Sequence, residues 1–327
     1  MNPPLASRRR LLSAALAATF ALSGACAWAQ AWPTQPIKLV VGFPAGSSPD
    51  LTARTLSEPL SQALGQPVVV DNKPGAGGNI GADAVAKAKD GHTFVLMING
   101  NMTIARLLNP ATPYDPITDL APVSLIATAP LVLAAAKKLP GDAPAALAAA
   151  RQGGDKFNYG TPGNGTVAHL GMELLKPKSG LAAVHVPYPG NPQVINALIG
   201  GDIQLALLPP GLAMPQARAG KLHVLGVTSA GRSSLVPDVP SLSEAGLKGF
   251  QLEIWNAVAA PAGTPKAVVD RLATLLAEIV RRPEVREKLF NQGWQVAGTS
   301  PEGLAKRIQR DTAEMGEVIR RNHIRPQ

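Results

Sequence analysis

The residues of this chain that can do chemistry lie in two loops made of glycine, proline and hydroxyl side chains. The first reads Val40-Val41-Gly42-Phe43-Pro44-Ala45-Gly46-Ser47-Ser48-Pro49-Asp50, and a helical pattern follows it at once. Such a loop leaves backbone N–H groups free at the positive end of a helix dipole, where a carboxylate or phosphate settles without a cationic side chain. The expected anion site is centred on Ala45 to Ser48. The plain alternative is structural: Gly46 supplies a positive φ for a tight turn and Asp50 caps the helix. The second loop reads Tyr159-Gly160-Thr161-Pro162-Gly163-Asn164-Gly165-Thr166, after a strand and before a helix that contains His169. Its glycines admit a ligand to the backbone, and Thr166 brings a hydroxyl to a helix N-terminus, where simple capping is again the alternative. Two such loops, one from each lobe, would close on a single small anion.

Other chemistries fit less well. Gly163-x-Gly165-x-x-Ala168 matches the dinucleotide fingerprint, but the next strand, at residues 183–188, carries no acidic residue to hold a ribose. The loop at residues 75–81 has Ile80 where the third glycine belongs. No cofactor is expected. There is no G-x-S-x-G elbow, H-E-x-x-H or C-x-x-C. The histidines, His92, His169, His185, His223 and His323, have no metal-ligand spacing, so no metal is expected. His169 alone adjoins a candidate site, and on an apolar helix face it reads as a hydrogen-bonded structural histidine. No catalytic residue emerges, and the chain is expected not to be an enzyme. Aromatic residues at 4% offer no stacking surface for nucleic-acid bases. The formal charge of +9, to which Arg8, Arg9 and Arg10 contribute three, gives a mildly basic surface that steers acidic small molecules.

The elements that must position these loops alternate. Apolar, β-branched runs at residues 37–41, 68–70 and 93–98 read as buried strands, with helices at 51–64 and 80–87 between them. Pro59 is expected to kink or shorten the first helix. The order β-α-β-α-β is that of a doubly wound sheet. After an irregular stretch at 99–116, the apolar run 123–136, broken by Pro130, reads as a strand leaving one domain for another. The alternation then repeats, with helices at 143–151, 167–175, 194–198 and 214–219 and strands at 157–159, 183–186, 203–208 and 223–228. A Ser/Pro/Gly-rich connection at 231–249, with a short helix around Ser243, leads to a returning strand at 252–260. Two crossings imply a hinge. Val268, Val269, Leu272, Leu275, Leu276, Ile279 and Val280 give a helical stripe. Further helices start at Pro283 and at Ser300-Pro301-Glu302, and all three read as packing. At 327 residues the chain suits one large or two medium α/β domains.

Residues 1–29 read as a signal peptide: Arg8 to Arg10, an apolar stretch from Leu11 to about Ala25, and Ala27-Trp28-Ala29 as the cleavage pattern. Ser7-Arg8-Arg9-Arg10-Leu11-Leu12 also resembles a twin-arginine signal, leaving the export route open. The single cysteine, Cys26, falls inside this leader and sits poorly for lipidation, so the mature chain has no disulfide. A periplasmic protein is expected.

The residues also carry a family resemblance. Val40 to Asp50, Pro74-Gly75-Ala76-Gly77-Gly78-Asn79-Ile80-Gly81-Ala82, Tyr159 to His169 and Val186-Pro187-Tyr188 resemble the Bug (TctC-type) extracytoplasmic solute receptors. So do Gly220-Lys221-Leu222, Val227-Thr228-Ser229-Ala230-x-Arg232, Pro237-Asp238-Val239-Pro240, Glu244-Ala245-Gly246-Leu247, Trp255-Asn256 and Ala260-Pro261-Ala262-Gly263-Thr264-Pro265. These receptors are the binding components of tripartite tricarboxylate transporters, and the match runs through nearly the whole mature chain. The resemblance implies a two-lobed α/β periplasmic binding protein of type II, the Venus-flytrap class, each lobe a doubly wound mixed sheet with flanking helices. Lobe I would take residues 30–128 and 249–327, and lobe II residues 129–248. It implies a small carboxylate as ligand, a membrane permease as partner, no nucleic acid, and a monomer. A periplasmic sensor feeding a signalling membrane protein and a two-lobed enzyme acting on a carboxylate are the alternatives. The ligand would sit, partly through waters, among Phe43, Pro44, Ala45, Gly46, Ser47, Ser48 and Asp50 of the first loop and Thr161, Gly163, Asn164, Gly165 and Thr166 of the second. Asn99, His169, Tyr188 and Leu208 complete the expected set. Ser47 replaces a glycine usual in the family, and Leu208 stands where many members have Asp. If that position faces the cleft, the ligand's far end is expected to be apolar or aromatic rather than an ammonium.

Overall fold

Short β-branched runs interleaved with amphipathic helices build two mixed sheets in the computed structural model, which describes residues 32–322 and 324. The leader with Cys26, and also His323, lie outside the described residues. From Gln35 onward the chain is one compact unit.

The first sheet is built on β1 (Ile37–Val41), whose Leu39, Val40 and Val41 are buried as a strand covered on both faces requires. Parallel to it lie β2 (Val68–Asn72) and β3 (Thr93–Ile98). The antiparallel strands β10 (Glu253–Pro261), β4 (Leu120–Pro130) and β11 (Gln295–Val296) extend it to the order β11-β4-β10-β3-β1-β2. The second sheet, in the order β7-β6-β8-β5-β9, holds β5 (Val132–Ala136), β6 (Asn158–Thr161), β7 (Val184–Pro187), β8 (Leu205–Leu208) and β9 (Leu222–Val227). In it β6 is parallel to β7 and β8, while β5 is antiparallel to β8 and β9.

The helices are α1 (Ser48–Leu64), α2 (Asn79–Ala86), α3 (Ala105–Leu108), α4 (Ala143–Gly153), α5 (Val167–Ser179), α6 (Asn191–Gly200), α7 (Pro210–Arg218), α8 (Lys266–Arg281), α9 (Pro283–Asn291) and α10 (Pro301–Arg321). Several depart from the sequence reading. Helix α1 starts at Ser48, not Leu51, and runs unbroken through Pro59, because Leu56, Leu60 and Leu64 bury on one face and offset the lost backbone bond. Helix α7 begins at Pro210, where a fixed φ suits the first turn, rather than at Met214. The stretch expected to be irregular contains a π-helical turn, Gly100–Ile104, and α3. Around Ser243 there are turns instead of a helix, with Ser241 bridged to Val227.

The chain passes from the first sheet to the second at Leu131 and returns through residues 228–252. One buried side chain ties the two passages together. The Thr228 hydroxyl accepts from Leu131 N (2.8 Å) and donates to Leu252 O (2.7 Å), while the Thr228 backbone bonds the same two residues (2.8 and 3.0 Å). Val40, Met97 and Trp255 of the first sheet share a core with Leu304 and Ile308 of α10. Val132, Ala206 and Leu208 of the second pack on Val194 and Leu198 of α6.

Candidate functional site

Four helices begin at one cavity between the sheets. Its volume is ≈ 40 Å³, room for a few water-sized groups, and its wall includes Ser48 and Pro49 of α1 and Thr166, Val167 and Ala168 at the start of α5. Asn191 opens α6 there, and Pro209 precedes α7. Among the described residues lining it, none is charged. Each helix N-terminus carries about +0.5 elementary charge. Four of them beside one uncharged, largely apolar space favour an anion there.

The loops that deliver these helices are braced by their own bonds. Asp50 is buried, and its carboxylate accepts from Gly46 N (2.9 Å), Asn72 Nδ2 (2.9 Å) and Arg54 Nε (3.0 Å). Burial pushes this carboxyl up, but the bonds from Arg54, Gly46 and Asn72 outweigh it and hold the group below the usual carboxylate range. Asp50 therefore holds the first loop and does not face the ligand space. Gly46 N is committed to Asp50 and Ser47 N to Pro44 O (3.1 Å), so the anion-binding N–H groups are fewer than the loop sequence suggests. Ser47 occupies the N-cap of α1, yet its hydroxyl makes no capping bond and is buried without a partner. In the second loop, Thr166 does cap α5: Oγ1 accepts from His169 N (3.3 Å) and donates to Gly163 O (2.8 Å). Thr161 Oγ1 accepts from Gly163 N (3.2 Å) and lies 2.7 Å from His185 Nε2.

Of the expected residues, Phe43, Ser48 and Thr166 line the cavity. Ala45 and Gly46 are exposed and outside its wall, and a Cβ on Gly46 would lie 3.9 Å from Pro192 of α6. Gly163 meets Gly77 of the opposite lobe so closely that a Cβ would stand 2.7 Å from its Cα. Asn164, Gly165 and His169 line a separate cavity of ≈ 140 Å³ with Asn79 and Asn109. His169 is fully buried, and its Nδ1 accepts from Gly165 N (3.3 Å), so the ring is neutral at that nitrogen. Burial pushes its pKa below the ordinary imidazole value, partly opposed by Glu173.

Three expected residues stand elsewhere. Asn99 bonds Glu253 O (2.9 Å) and Trp255 N (3.4 Å), tying β3 to β10. Tyr188 is half-buried beside Gly160, its N–H on Thr161 O (2.9 Å). Leu208 points into the second lobe's core, and its neighbour Leu207 lines the cavity, because side chains alternate along β8. The ligand inference drawn from Leu208 therefore falls away. The sequence reading missed Asn191, Asn256, Pro209 and Trp294. Asn191 preceding Pro192 is a helix-start signal, and Asn256 lies in the Trp255-Asn256 motif. Trp294 gives no such signal.

Comparison with known proteins places the chain in a family and a fold. Residues 52–324 match the model of the tripartite tricarboxylate transporter family receptor. The solved structure of the periplasmic binding protein BugD is 32% identical over 90% of this chain and all of its own, with a TM-score of 0.86. A protein of R. palustris solved with adipate is 34% identical over 90% of this chain and all of its own, with a TM-score of 0.87. MatC from Rhodopseudomonas palustris, with bound malate, is 31% identical over 88% of this chain and all of its own, with a TM-score of 0.84. The two mixed sheets are thus the two-lobed α/β fold of periplasmic binding proteins, and the chain belongs to the tripartite tricarboxylate transporter receptor family.

Proposed function

We propose that this chain is a periplasmic receptor that captures a small carboxylate between its lobes and hands it to the membrane permease of a tripartite tricarboxylate-type transporter. The observation that carries the reading is the convergence of four helix N-termini on a cavity with no charged side chain among its described lining residues. A carboxylate there is neutralised by backbone dipoles and the hydroxyl of Ser48. The adipate and malate of the two relatives are small dicarboxylates, which supports the ligand class. In this reading lobe I comprises residues 30–128 and 249–327, lobe II residues 129–248, and the lobes close about the passages tied by Thr228. The protein binds and releases; no bond of the solute is made or broken.

The test is thermal unfolding of protein stripped of bound solute, against mono-, di- and aromatic carboxylates with their amides as controls. A ligand at ~100 times its dissociation constant adds about 2.7 kcal/mol, a plain rise in midpoint. The expected result is a rise with an acid and none with its amide. Equal rises with both would remove the anion site, and turnover of the bound acid would remove the receptor reading.

A further inference from the structure

The second loop owes its shape to two stacked histidines. Gly163 (φ +122) and Gly165 (φ +75) stand in backbone that glycine alone adopts freely, so side-chain bonds decide which conformation the loop keeps. Those bonds converge on imidazoles. Gly165 N donates to His169 Nδ1 (3.3 Å), and Gly163 N donates to Thr161 Oγ1 (3.2 Å), which lies 2.7 Å from His185 Nε2. The two rings stack with centroids 4.3 Å apart. Gly165 is also a point where the loop meets the other lobe. A Cβ on it would stand 3.2 Å from Ala105 Cα, and a Cβ on Gly100 would stand 2.8 Å from Gly165 O. Backbone packs on backbone there, so a shift of Gly165 makes a clash in one direction and a gap in the other.

His169 can hold Gly165 in only one protonation state. Neutral, it offers the Nδ1 lone pair to Gly165 N–H and carries its proton on Nε2. Charged, it has an N–H at both nitrogens. Nδ1–H then faces Gly165 N–H, donor against donor, and the buried Nε2–H has no acceptor, since that atom makes no hydrogen bond. The groups about the ring decide how readily the proton is placed. On α5 itself Glu173 favours the charge and Lys176 opposes it. Glu173 is engaged by the Tyr159 hydroxyl of β6 and by Lys176 Nζ (3.0 Å). From β7 comes His185, a second imidazole whose own charge would repel this one. The strand β8, on which α5 packs, is apolar throughout. Across the adjoining cavity Asn79, Ala105, Leu108 and Asn109 carry no charge, and Arg106 beside Ala105 is paired with Asp115 (3.1 Å). Burial outweighs Glu173 and holds the ring below the ordinary imidazole value.

We propose that His169 is a positioning residue for solute capture and makes it pH-dependent: the neutral ring holds Gly165 where the lobes can shut, and the protonated ring releases Gly165 and with it the solute. The proposal rests on the capture reading above and adds its regulation. Proton and solute compete, because the proton favours the loosened loop and the solute the braced one. Affinity is complete above pH ~6.5, where a loosened imidazole is already neutral, and is lost as pH falls below it.

The experiment has two arms. The first follows the Gly165 amide and the His169 ring by NMR in solute-free protein between pH ~8 and pH ~5. Their resonances are expected to move with one midpoint, and the Gly165 movement to be absent in His169→Asn, whose Oδ1 accepts from Gly165 N without titrating. The second is calorimetry with adipate and malate at pH ~7.5 and pH ~5.5. Over this interval wild-type affinity is expected to fall about tenfold more than that of His169→Asn, the solute's own ionisation being common to both proteins. Glu173→Gln, which removes the charge that favours the proton, is expected to move the profile to lower pH. A Gly165 resonance that stays put while His169 titrates would overturn the proposal, as would wild-type and His169→Asn profiles that coincide or a profile that Glu173→Gln leaves in place. If neither acid binds at pH ~7.5, the failure falls on the carboxylate reading, and the Gly165 resonance still upholds or removes the hold of the ring on the loop.

Discussion

Ser47 and Thr166 hold the same position, the N-cap of a helix that starts at the cavity, and do opposite things there. Thr166 closes its helix, while Ser47 leaves its hydroxyl unpartnered at the start of α1. Thr166→Ala is expected to lower unfolding free energy by about 1 kcal/mol through loss of the cap. The same change frees Gly163 O and slackens the second loop, so affinity for the bound acid is expected to fall as well. Thr166→Ser should restore both, and urea unfolding with calorimetry on the two variants checks this. The capping role of Thr166 was legible in the sequence, since a hydroxyl before a helical run has one dominant use. The idle hydroxyl of Ser47 was not, because an identical pattern surrounds it. Leu208 was misplaced for a related reason. Leu205-Ala206-Leu207-Leu208 has no alternation to read, and its facing is set only by the pairing of Val132 with Leu208 and Leu133 with Leu207.

At the scale of elements, the second loop depends on the helix that follows it. His169, in the first turn of α5, holds Gly165 N through a neutral Nδ1, and its ring stacks on His185 at 4.3 Å, which stacks on Tyr159 at 5.0 Å. Glu173, bonded by Tyr159 and Lys176, favours a proton on His169, and Lys176 opposes one. The folded value lies below the ordinary one, so the unfolded chain binds the proton first as pH falls. The stability this site contributes is therefore complete above pH ~6.5, declines as pH drops below it, and levels off beneath the folded value. Protonation also sets an N–H against Gly165 N–H and undoes the loop brace. Melting midpoints between pH 8 and pH 5 should fall more steeply in the wild type than in His169→Gln; equal slopes would count against the assignment. The alternation that builds both sheets was legible, and strands at 37–41 and 93–98 fall where their apolar runs put them. The edge strand β11 was not, because two residues of Gln295-Val296 take their conformation from β4 alongside and not from any run of their own.

For the whole molecule, the lobes meet by backbone against backbone. Gly163 (φ +122) stands over Gly77, and Gly211 of α7 stands over Gln292 O, where a Cβ would come within 2.0 Å. Neither contact has a flexible side chain to give way. Gly163→Val is expected to keep the lobes apart, with small-angle scattering showing compaction on adding the acid in the wild type and none in the variant. Affinity should fall by more than tenfold in step, because the two sets of helix N-termini no longer share one space. A variant that compacts as the wild type does would show that the loops yield. Residue types in the two loops made the glycine requirement visible, but which glycine faces which was a matter of tertiary placement.

The tie made by Thr228 has a consequence for how the molecule moves. A protein whose halves are joined by two independent strands can twist about either, and its shut form is then a spread of angles. Here one residue, through its hydroxyl and its backbone N–H and C=O, holds both strands, Leu131 on one side and Leu252 on the other. In the closure proposed above the strands would turn together, as a pin turns in a door, about a single axis. If the lobes close on a solute as proposed above, a partner that docks on the shut molecule meets one silhouette rather than a family of them.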